Sequence, residues 1–363
     1  MFTAKAEDLS RALNLVLNSS EVKTTIPWLA YVLIEAKDGK LKLSGTDMDM
    51  SISVNIDADV KTSGAFCVKA KQLSSLVALM AGDVSITVKS DQVWLKTDSA
   101  KYRLPYLPKE EFRFIEAATN EKLTLSGAIL AGMIRAASIA METNPNGKDS
   151  WKNLEMCAKD GKFTIAGMCG PRASVASVAC EAEFYVMLPS KGVNALIAFA
   201  GNSETVSLSV SENLMTARSE ENEATFKLSV QRWGDWSEIA EAQCEHQAEF
   251  DSESFIPALR RVLLASDRNR LVSRVDFRLT KEQSALFSES ANGEGNENLT
   301  VTCPTLNGDS LPIAIDGAHL LDLFKVIKGR IVWEFSQKHT ALRFTPKEPL
   351  PFSFTYVQGT LRV

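Results

Sequence analysis

Residues that commonly perform acid–base chemistry are scarce in this chain. It has three histidines, His246, His319 and His339, and none lies in a recognisable catalytic triad or metal-binding motif. His319 follows Asp316, where a helix is predicted to begin, and we expect it to be a half-exposed structural histidine. The histidines therefore indicate no catalytic site.

Groups that hold cations or phosphates are equally sparse. Asp47 and Asp49 are two residues apart, a spacing that in a strand puts both carboxylates on one exposed face, and further ligands are not apparent. Gly293 and Gly295 flank only Glu294, and no Lys-Ser or Lys-Thr pair follows them, so a phosphate-binding loop is not predicted. We therefore expect neither a metal ion nor a cofactor.

The cysteine content is typical of a reducing compartment. Six cysteines are spread along 363 residues without a close pair at metal-ligand spacing, so we expect reduced and mostly buried thiols. These residues are Cys67, Cys157, Cys169, Cys180, Cys244 and Cys303. No apolar run is long enough to span a bilayer, and the first residues show no secretory signal. We therefore expect a cytoplasmic protein with no membrane contact.

The net charge argues against a strong, general attraction to nucleic acid. The chain has 40 Lys and Arg against 45 Asp and Glu, a formal charge of −5, and so lacks the basic excess of most proteins held on DNA by charge alone. Any contact with DNA is then expected to be local and weak.

Six stretches with one apolar spacing predict the helices. Apolar residues recur at i, i+3, i+4 and i+7, as on the buried face of a helix, in two types that alternate along the chain. Copies of each type lie about 120 residues apart, which indicates three copies of one unit. The first type begins at Leu9, Leu130 and Phe255, and the second at Leu73, Val193 and Leu320.

Strands are predicted around these helices by apolar residues at every second position. Such segments include 41–43, 84–88 and 93–95, then 163–165, 206–210 and 226–228, then 275–277, 331–333 and 352–354. We therefore predict three β-rich domains with two helices each, over residues 1–121, 122–245 and 246–363. The polar, glycine-rich segment 292–298 predicts an exposed hairpin tip or a mobile loop.

The order and spacing of several short motifs resemble the bacterial β sliding clamp family, the processivity subunit of DNA polymerase III. The resemblance covers the chain from end to end. Its most specific motifs are Phe2-Thr3, Ile26-Pro27 with Leu29, Gly45-Thr46-Asp47-Met48-Asp49-Met50, Leu107-Pro108 before Phe112, Pro189-Ser190-Lys191-Gly192-Val193, and Leu361-Arg362-Val363.

The resemblance implies an α+β chain of three tandem clamp-type units, each with two helices packed on antiparallel sheets. Two chains of the family pair head to tail into a six-unit ring around duplex DNA, with helices lining the hole and sheets forming the outer wall. The implied function is that of a non-catalytic, homodimeric processivity factor in DNA replication, which slides on DNA and tethers the replicative polymerase and other replication and repair proteins.

Encirclement retains DNA by topology, so a shallow attraction to phosphates is sufficient and permits sliding. Lys23 matches a basic position in the family's DNA-contacting loop, and the other candidates lie on the polar side of a first-type helix or just after it. The candidates are Lys23, Arg135, Lys148, Arg260, Arg268, Arg270 and Arg274. They are also consistent with solvated charges or with partners of Asp and Glu.

Two apolar sites are implied by the same resemblance. Ring closure joins the first unit of one chain to the third unit of the other, at Tyr102 and Leu104 on one side and Leu264 and Ala265 on the other. Each of these residues is equally suited to packing inside its own unit. The alternative for these four residues is therefore a purely structural role.

The second site is a groove between units two and three, in which the polymerase catalytic subunit, the clamp loader and other proteins dock short peptides. The matching positions are Met168, Gly170, Pro171, Arg172, Ala173, Leu361, Arg362 and Val363. Here the family's usual Asp-Gly-His-Arg-Leu is Cys169-Gly170-Pro171-Arg172-Ala173, and the smaller side chains at Ala173 and Val363 are expected to reshape the pocket. Alternatively, Pro171 and Ala173 only close a loop.

Three functions remain open at this point. The first is a DNA-encircling processivity factor, and the second is a diverged clamp-like interaction platform with a changed partner set, which the altered groove favours. The third is a hydrolase or transferase built on three repeated units, which requires converging ionisable groups that the sequence does not show.

Overall fold

A computed structural model describes residues 1–21, 24–240, 244–265, 272–280, 284–290, 293–301, 303, 306, 311–336 and 341–361, with backbone alone at 238 and 239. The described residues form an α+β fold, as predicted. The α-helices are α1 (Ala6–Val16), α2 (Ala70–Val77), α3 (Gly127–Ser138), α4 (Ser190–Gly201), α5 (Ser237–Ala240), α6 (Ser252–Ala265) and α7 (Gly317–Leu323). Short 3₁₀ helices span Leu17–Ser19, Pro27–Ala30, Lys109–Glu111 and Asp149–Lys152.

The strands of the first half of the chain are β1 (Phe2–Lys5), β2 (Tyr31–Lys37), β3 (Lys40–Thr46), β4 (Met50–Asp57), β5 (Asp59–Val60), β6 (Gly64–Lys69), β7 (Asp83–Lys89), β8 (Gln92–Lys96), β9 (Lys101–Pro105), β10 (Glu121–Ser126), β11 (Asn153–Lys159), β12 (Lys162–Cys169) and β13 (Arg172–Ala179). Those of the second half are β14 (Phe184–Pro189), β15 (Thr205–Val210), β16 (Leu214–Ser219), β17 (Asn222–Lys227), β18 (His246–Asp251), β19 (Arg274–Leu279), β20 (Ser284–Ser290), β21 (Gly293–Leu299), β22 (Leu311–Asp316), β23 (Arg330–Phe335), β24 (Ala341–Pro346) and β25 (Ser353–Gly359).

The six predicted helices are confirmed, and their apolar stripes are buried. Leu9, Leu13 and Leu73 have no exposed surface, the stripe of α3 is buried, and those of α4 and α6 are buried except for the partly exposed Ile197 and Leu263. In α7 the apolar period continues beyond the last helical residue, because Phe324 and Ile327 are buried in the turns that follow. Asp316 caps α7 by accepting hydrogen bonds from two backbone N–H groups of the first turn.

One compact unit comprises residues 1–131 and 188–229. It contains a five-stranded sheet in the order β5-β1-β7-β8-β9 and an eight-stranded sheet in the order β10-β15-β16-β17-β4-β3-β2-β6. The antiparallel pairing of β17 with β4 makes the larger sheet continuous, because it joins strands of the first and second predicted domains. Helices α1 and α2 contact each other and lie against the sheet strands.

The other compact unit comprises residues 132–187 and 230–363. Its eight-stranded sheet has the order β14-β11-β12-β13-β25-β24-β23-β18, and its four-stranded sheet has the order β21-β20-β19-β22. The antiparallel pairing of β13 with β25 joins strands of the second and third predicted domains. The middle predicted domain is thus divided between the two units, while β10 and β18 begin where its ends were predicted. The three-domain division stays a prediction.

The segment predicted as a hairpin tip or mobile loop is mostly a strand. Residues 293–299 form β21, which pairs with β20 along its whole length. Close packing of α6 explains the glycine at its centre, because a Cβ at Gly295 would lie 3.1 Å from the Cβ of Ala265. Arg261 of α6 also holds Glu297 of β21 through two hydrogen bonds of 2.6 and 3.0 Å. These contacts are tertiary, and the local composition does not indicate them.

No helix in the described parts of the chain combines the length and the apolar character needed to cross a bilayer. None of the six cysteines, all of which lie in described residues, forms a disulfide. Cys67 and Cys303 are buried and the other four are partly exposed, so the expectation of mostly buried thiols holds for two of them.

Gly127 at the start of α3 provides a test of the close packing in the first unit. A Cβ there would lie 2.1 Å from the carbonyl oxygen of Ser203 and 2.3 Å from that of Ala200. We expect Gly127→Ala to lower the free energy of unfolding by about 1–3 kcal/mol, because backbone atoms cannot move away cheaply. The measurement is the urea unfolding midpoint. Gly234→Ala is the control, since no atom lies within 4 Å of its added Cβ, and equal midpoints for the two variants would contradict the packing argument.

Candidate functional site

The residues predicted to form a groove come together at the β12–β13 hairpin. Gly170 has a φ of +57°, a left-handed conformation that favours glycine, and with Pro171 it turns the chain from β12 into β13. Ala173 pairs with Val357 of β25, and the N–H of Gly359 donates to the carbonyl of Pro171. The chain then continues to Leu361, whose N–H donates to Ala314 of β22 at 2.7 Å. Arg362 and Val363 lie outside the described residues.

Arg172 is an interior residue of this hairpin, with 7% of its side chain exposed. Its guanidinium donates to the carboxylate of Asp322 in α7 at 3.1 Å and to the carbonyl of Met141 at 3.3 Å. Its Nε has no acceptor among the described residues. A buried charge of this kind is costly unless paired, so Asp322 positions the Arg172 side chain beneath the groove.

A thiol and a carboxylate lie beside Arg172. The Sγ of Cys169 donates to Oε2 of Glu142 at 3.4 Å. Burial, together with the hydrogen bond to Glu142 and its negative charge, raises the pKa of the Cys169 thiol. The backbone N–H of Asn144 holds the pKa of the Glu142 carboxyl below its usual range. The pair is therefore a protonated thiol facing an ionised carboxylate at neutral pH.

His319 lies in the first turn of α7, as expected, with 35% of its side chain exposed. Burial and the positive charge of Arg172 lower its pKa, so the imidazole is neutral near pH 7. Its carbonyl accepts a hydrogen bond from the Tyr356 hydroxyl of β25 at 3.2 Å. These contacts fit the predicted structural role. His339 lies outside the described residues, and His246 is buried in β18.

Sequence reasoning missed a cluster, rich in aromatic residues, that includes Met168 of the groove. Its buried members are Ala166, Val175, Met187 and Trp233, and the partly buried residues packed against them are Trp151, Met168, Tyr185 and Trp236. Glu155 of β11, which is 9% exposed, accepts hydrogen bonds of 2.8 Å from the Tyr185 hydroxyl and the Trp236 indole. Burial and the charge of Glu155 raise the pKa of Tyr185. In the sequence, the only local indication of this cluster is that Trp233 and Trp236 are three residues apart.

Asp47 and Asp49 do not share an exposed face, which corrects the interpretation from their spacing. They lie in the turn after β3, where Met48 has a φ of 72° and the Asp47 side chain is only 2% exposed. The Lys191 ammonium is 2.9 Å from Asp47 and 3.4 Å from Asp49. Burial lowers the pKa of Lys191, but its contacts with Asp47, Glu21 and Asp49 outweigh this and raise it. A lysine thus neutralises these carboxylates. Among the described residues, no three His, Cys, Asp or Glu side chains are grouped to hold a metal.

Three of the predicted DNA-contacting residues are exposed where a helix or turn places them. Arg135 lies on the face of α3 opposite its buried stripe, and Arg260 lies likewise on α6. Lys148 is exposed before a short 3₁₀ helix, with its ammonium 5.0 Å from the ring of Trp151. No carboxylate among the described residues is within salt-bridge distance of these three. Lys23, Arg268 and Arg270 lie outside the described residues.

Arg274 does not fit this set. It begins β19, whose alternate residues Val275 and Phe277 are buried, and Phe277 stacks on Phe255 of α6. Arg274 therefore lies on the sheet face away from α6, where its guanidinium binds the carboxylate of Asp276 at distances from 2.6 to 3.2 Å. The prediction placed it just after a helix, but strand alternation decides its direction, and we omit it from the DNA-contacting residues.

Of the four predicted seam residues, three have exposed surface. Tyr102 is 40% exposed on β9 and Leu264 is 65% exposed near the end of α6, while Ala265 is partly exposed. Leu104 has only 2% of its surface exposed, because it faces the core beneath the five-stranded sheet opposite Val93. Leu104 therefore packs within its own unit, and we leave it out of the seam.

The comparisons with known proteins agree with this fold along the whole chain. Residues 1–116 match the family described as DNA polymerase III beta subunit, N-terminal domain. A beta sliding clamp of Haemophilus influenzae is 23% identical over 336 residues, covering 90% of both chains, and one of Synechocystis is 25% identical, covering 96% of both. The solved sliding clamp of Pseudomonas aeruginosa bound to griselimycin matches with a TM-score of 0.92 at 20% identity, over 100% of this chain and 99% of that one.

Over its first 116 residues the chain matches the DNA polymerase III beta subunit family, and along its whole length its fold is similar to that of solved β sliding clamps. The chain departs from the family pattern at the groove. Ala173 is buried against β25, so the β12–β13 hairpin itself packs tightly where the family has a larger residue. The aromatic cluster at Met168 adds bulk beside it. A small buried residue therefore stands at a position where the resemblance implies a larger one.

The pairing of Cys169 with Glu142 predicts a measurable thiol reactivity. We expect Glu142→Gln to lower the pKa of Cys169, because it removes the negative charge that disfavours the thiolate, and so to speed alkylation by iodoacetamide at pH 8. Mass spectrometry of the labelled chain reports the rate at each cysteine. Cys180 is the internal control, and an unchanged rate at Cys169 would mean that Glu142 does not act on the thiol.

Proposed function

We propose that two copies of this chain close into a ring around duplex DNA and act as a non-catalytic processivity factor for a DNA polymerase. The full-length likeness to beta sliding clamps supports this function. We place the protein in the cytoplasm, where the bacterial replication machinery works. The observation that carries the proposal is a pair of terminal sheet strands, β9 and β21, whose chemistry is complementary.

Both strands end their sheets among the described residues. β9 is the last strand of the five-stranded sheet and β21 is the last of the four-stranded sheet. An uncovered edge presents backbone donors and acceptors to any other strand and is an aggregation hazard. Pairing β9 of one copy with β21 of a second copy removes both edges, and two such heterologous contacts close a dimeric ring.

The side chains at these edges have opposite charge. Lys101 and Arg103 project from the outer face of β9, and Glu294 projects from β21 across from Glu289 of β20. Opposite charges on adjacent strands stabilise a pair and favour the correct register. Glu297 is occupied by Arg261, so it helps fix β21 on α6. Tyr102 and Leu264 supply exposed apolar surface for the same seam.

The seam is tested by reversing and then restoring its charges. We expect Lys101→Glu with Arg103→Glu to shift the chain from dimer to monomer at micromolar concentration, because like charges then oppose each other. Adding Glu289→Lys and Glu294→Lys in the same chain restores the dimer. Light scattering after gel filtration measures the mass.

Lys42→Glu with Lys227→Glu is the matched control, since it makes the same change in net charge at exposed positions of the eight-stranded sheet. Dissociation of this control, or failure of the fourfold variant to recover the dimer, would contradict the proposed seam.

The DNA contact is proposed to come from exposed basic residues on helical faces. Arg135, Lys148 and Arg260 are exposed, and none has a carboxylate partner among the described residues. Such contacts neutralise phosphates without reading bases, which suits a sliding protein. With a chain charge of −5, the attraction is local, and the candidates Lys23, Arg268 and Arg270 outside the described residues belong to the same proposal.

Salt titration tests this assignment. We expect Arg135→Ala with Arg260→Ala to weaken non-specific binding to duplex DNA and to reduce the slope of log K against log salt by about 1 to 2, since each phosphate contact releases one counterion. Arg274→Ala is the control, because Arg274 lies on the sheet face away from α6 and is expected to leave the slope unchanged. A larger effect of Arg274→Ala than of the double variant would reverse the assignment.

The partners of the groove follow from the same proposal. We infer that the polymerase catalytic subunit, the clamp loader and other proteins with short clamp-binding peptides dock beside Met168, Pro171 and Leu361, while the predicted groove residue Ala173 is buried beneath them. The altered side chains support a second candidate, an interaction platform that keeps the ring but has a changed partner set. Intact loading onto DNA with no binding of standard clamp-binding peptides would favour this candidate over the first.

A further inference from the structure

The outer face of the five-stranded sheet carries a basic patch, of which the proposed seam uses only Lys101 and Arg103 on the edge strand. Strand alternation places Val84, Ile86, Val93 and Leu95 in the core, and their neighbours on β7, β8 and β9 face outward. The outward residues form three cross-strand rows. These rows are Ser85–Lys96–Lys101, Thr87–Trp94–Arg103 and Lys89–Gln92–Pro105.

Four cations and no carboxylate occupy these rows. Lys89, Lys96, Lys101 and Arg103 are exposed, and none has a carboxylate within salt-bridge distance among the described residues. Asp91 and Asp98 lie in the turns at the two ends of β8, and Asp83 of β7 and Asp59 of β5 lie on the same sheet face but beyond the rows, toward β1. In a chain whose net charge is −5, the part of the face that these rows cover is a local reversal of sign.

The patch is also concave. Lys89, Trp94, Lys96 and Lys101 line a depression of about 520 Å³ on the sheet face. Trp94 is half-buried, and the Lys101 ammonium lies 4.2 Å from the centre of its ring. Ser85, Thr87 and Gln92 add polar groups to the lining. The depression is large enough for a few side chains of a bound segment.

We propose that this patch docks an acidic segment of a partner protein, with carboxylates on Lys89 and Lys96 and an apolar side chain against Trp94. Charge complementarity identifies the class of partner, because the chain as a whole is acidic and this patch presents cations without a carboxylate partner among the described residues. A single-stranded nucleic acid fits less well, since a base stacks on a whole aromatic face and Lys101 covers that of Trp94, whereas an apolar side chain needs only the ring edge beside it. The site belongs to the first compact unit and does not depend on ring closure or on the groove.

A labelled peptide tests the site on the full chain. The probe is a fluorescein-labelled peptide of Asp and Glu with one central Leu, and its binding is followed by anisotropy. We expect Lys89→Glu with Lys96→Glu to weaken binding roughly tenfold or more, and Trp94→Ala to weaken it several-fold. The charge-reversal positions are exposed strand residues, so the chain should still fold and dimerise, which light scattering verifies.

Two controls separate the proposal from its competitors. The same peptide with Asn and Gln in place of its acidic residues should not bind, and Lys42→Glu with Lys227→Glu should leave the binding of the acidic peptide unchanged. Equal affinity of the wild type and the Lys89→Glu, Lys96→Glu variant would overturn the proposal. So would an equal loss in the control variant, or tighter binding of a single-stranded oligonucleotide that depends on Trp94.

Discussion

Antiparallel strand pairing is the interaction on which this molecule depends. The pairing of β17 with β4, and of β13 with β25, makes each large sheet continuous across two sequence repeats. Backbone groups are satisfied by this pairing, while β9 and β21 are terminal strands of the two smaller sheets. Their complementary charges are the physical reason to propose that β9 of one copy pairs with β21 of a second copy. In the proposed ring, the rule that builds each unit extends to assembly.

The distribution of charge follows from which face of each element is buried. Helices α3 and α6 bury their apolar stripes, so Arg135 and Arg260 are left on exposed faces that suit phosphate contact. In the sheets, alternation instead decides direction, and it sends Arg274 away from α6 and puts Lys89 and Lys96 around Trp94. A modest net charge is compatible with the proposed DNA encirclement, in which local basic surfaces, and not the total charge, face the phosphates.

The helices and several turns were predictable from local sequence, whereas the details of the candidate sites were not. The apolar periods identify six helices, and Asp38-Gly39 and Asp160-Gly161 adopt the positive φ values that hairpin turns require. By contrast, β21 is a strand because α6 packs on Gly295, and Asp47 is buried because Lys191 neutralises it. Leu104 is buried in the core of its own unit. Each of these depends on residues distant in sequence, which a local pattern cannot report.

The central claim is that enclosure, and not tight attraction, holds this protein on DNA. The direct measurement is retention on nicked circular duplex DNA after loading by a clamp loader, followed by gel filtration at high salt and then cutting of the circle. The account predicts that the protein elutes with the circle and is released once the DNA is linear. Release from the intact circle by salt alone, or continued retention on the linear DNA, would contradict it.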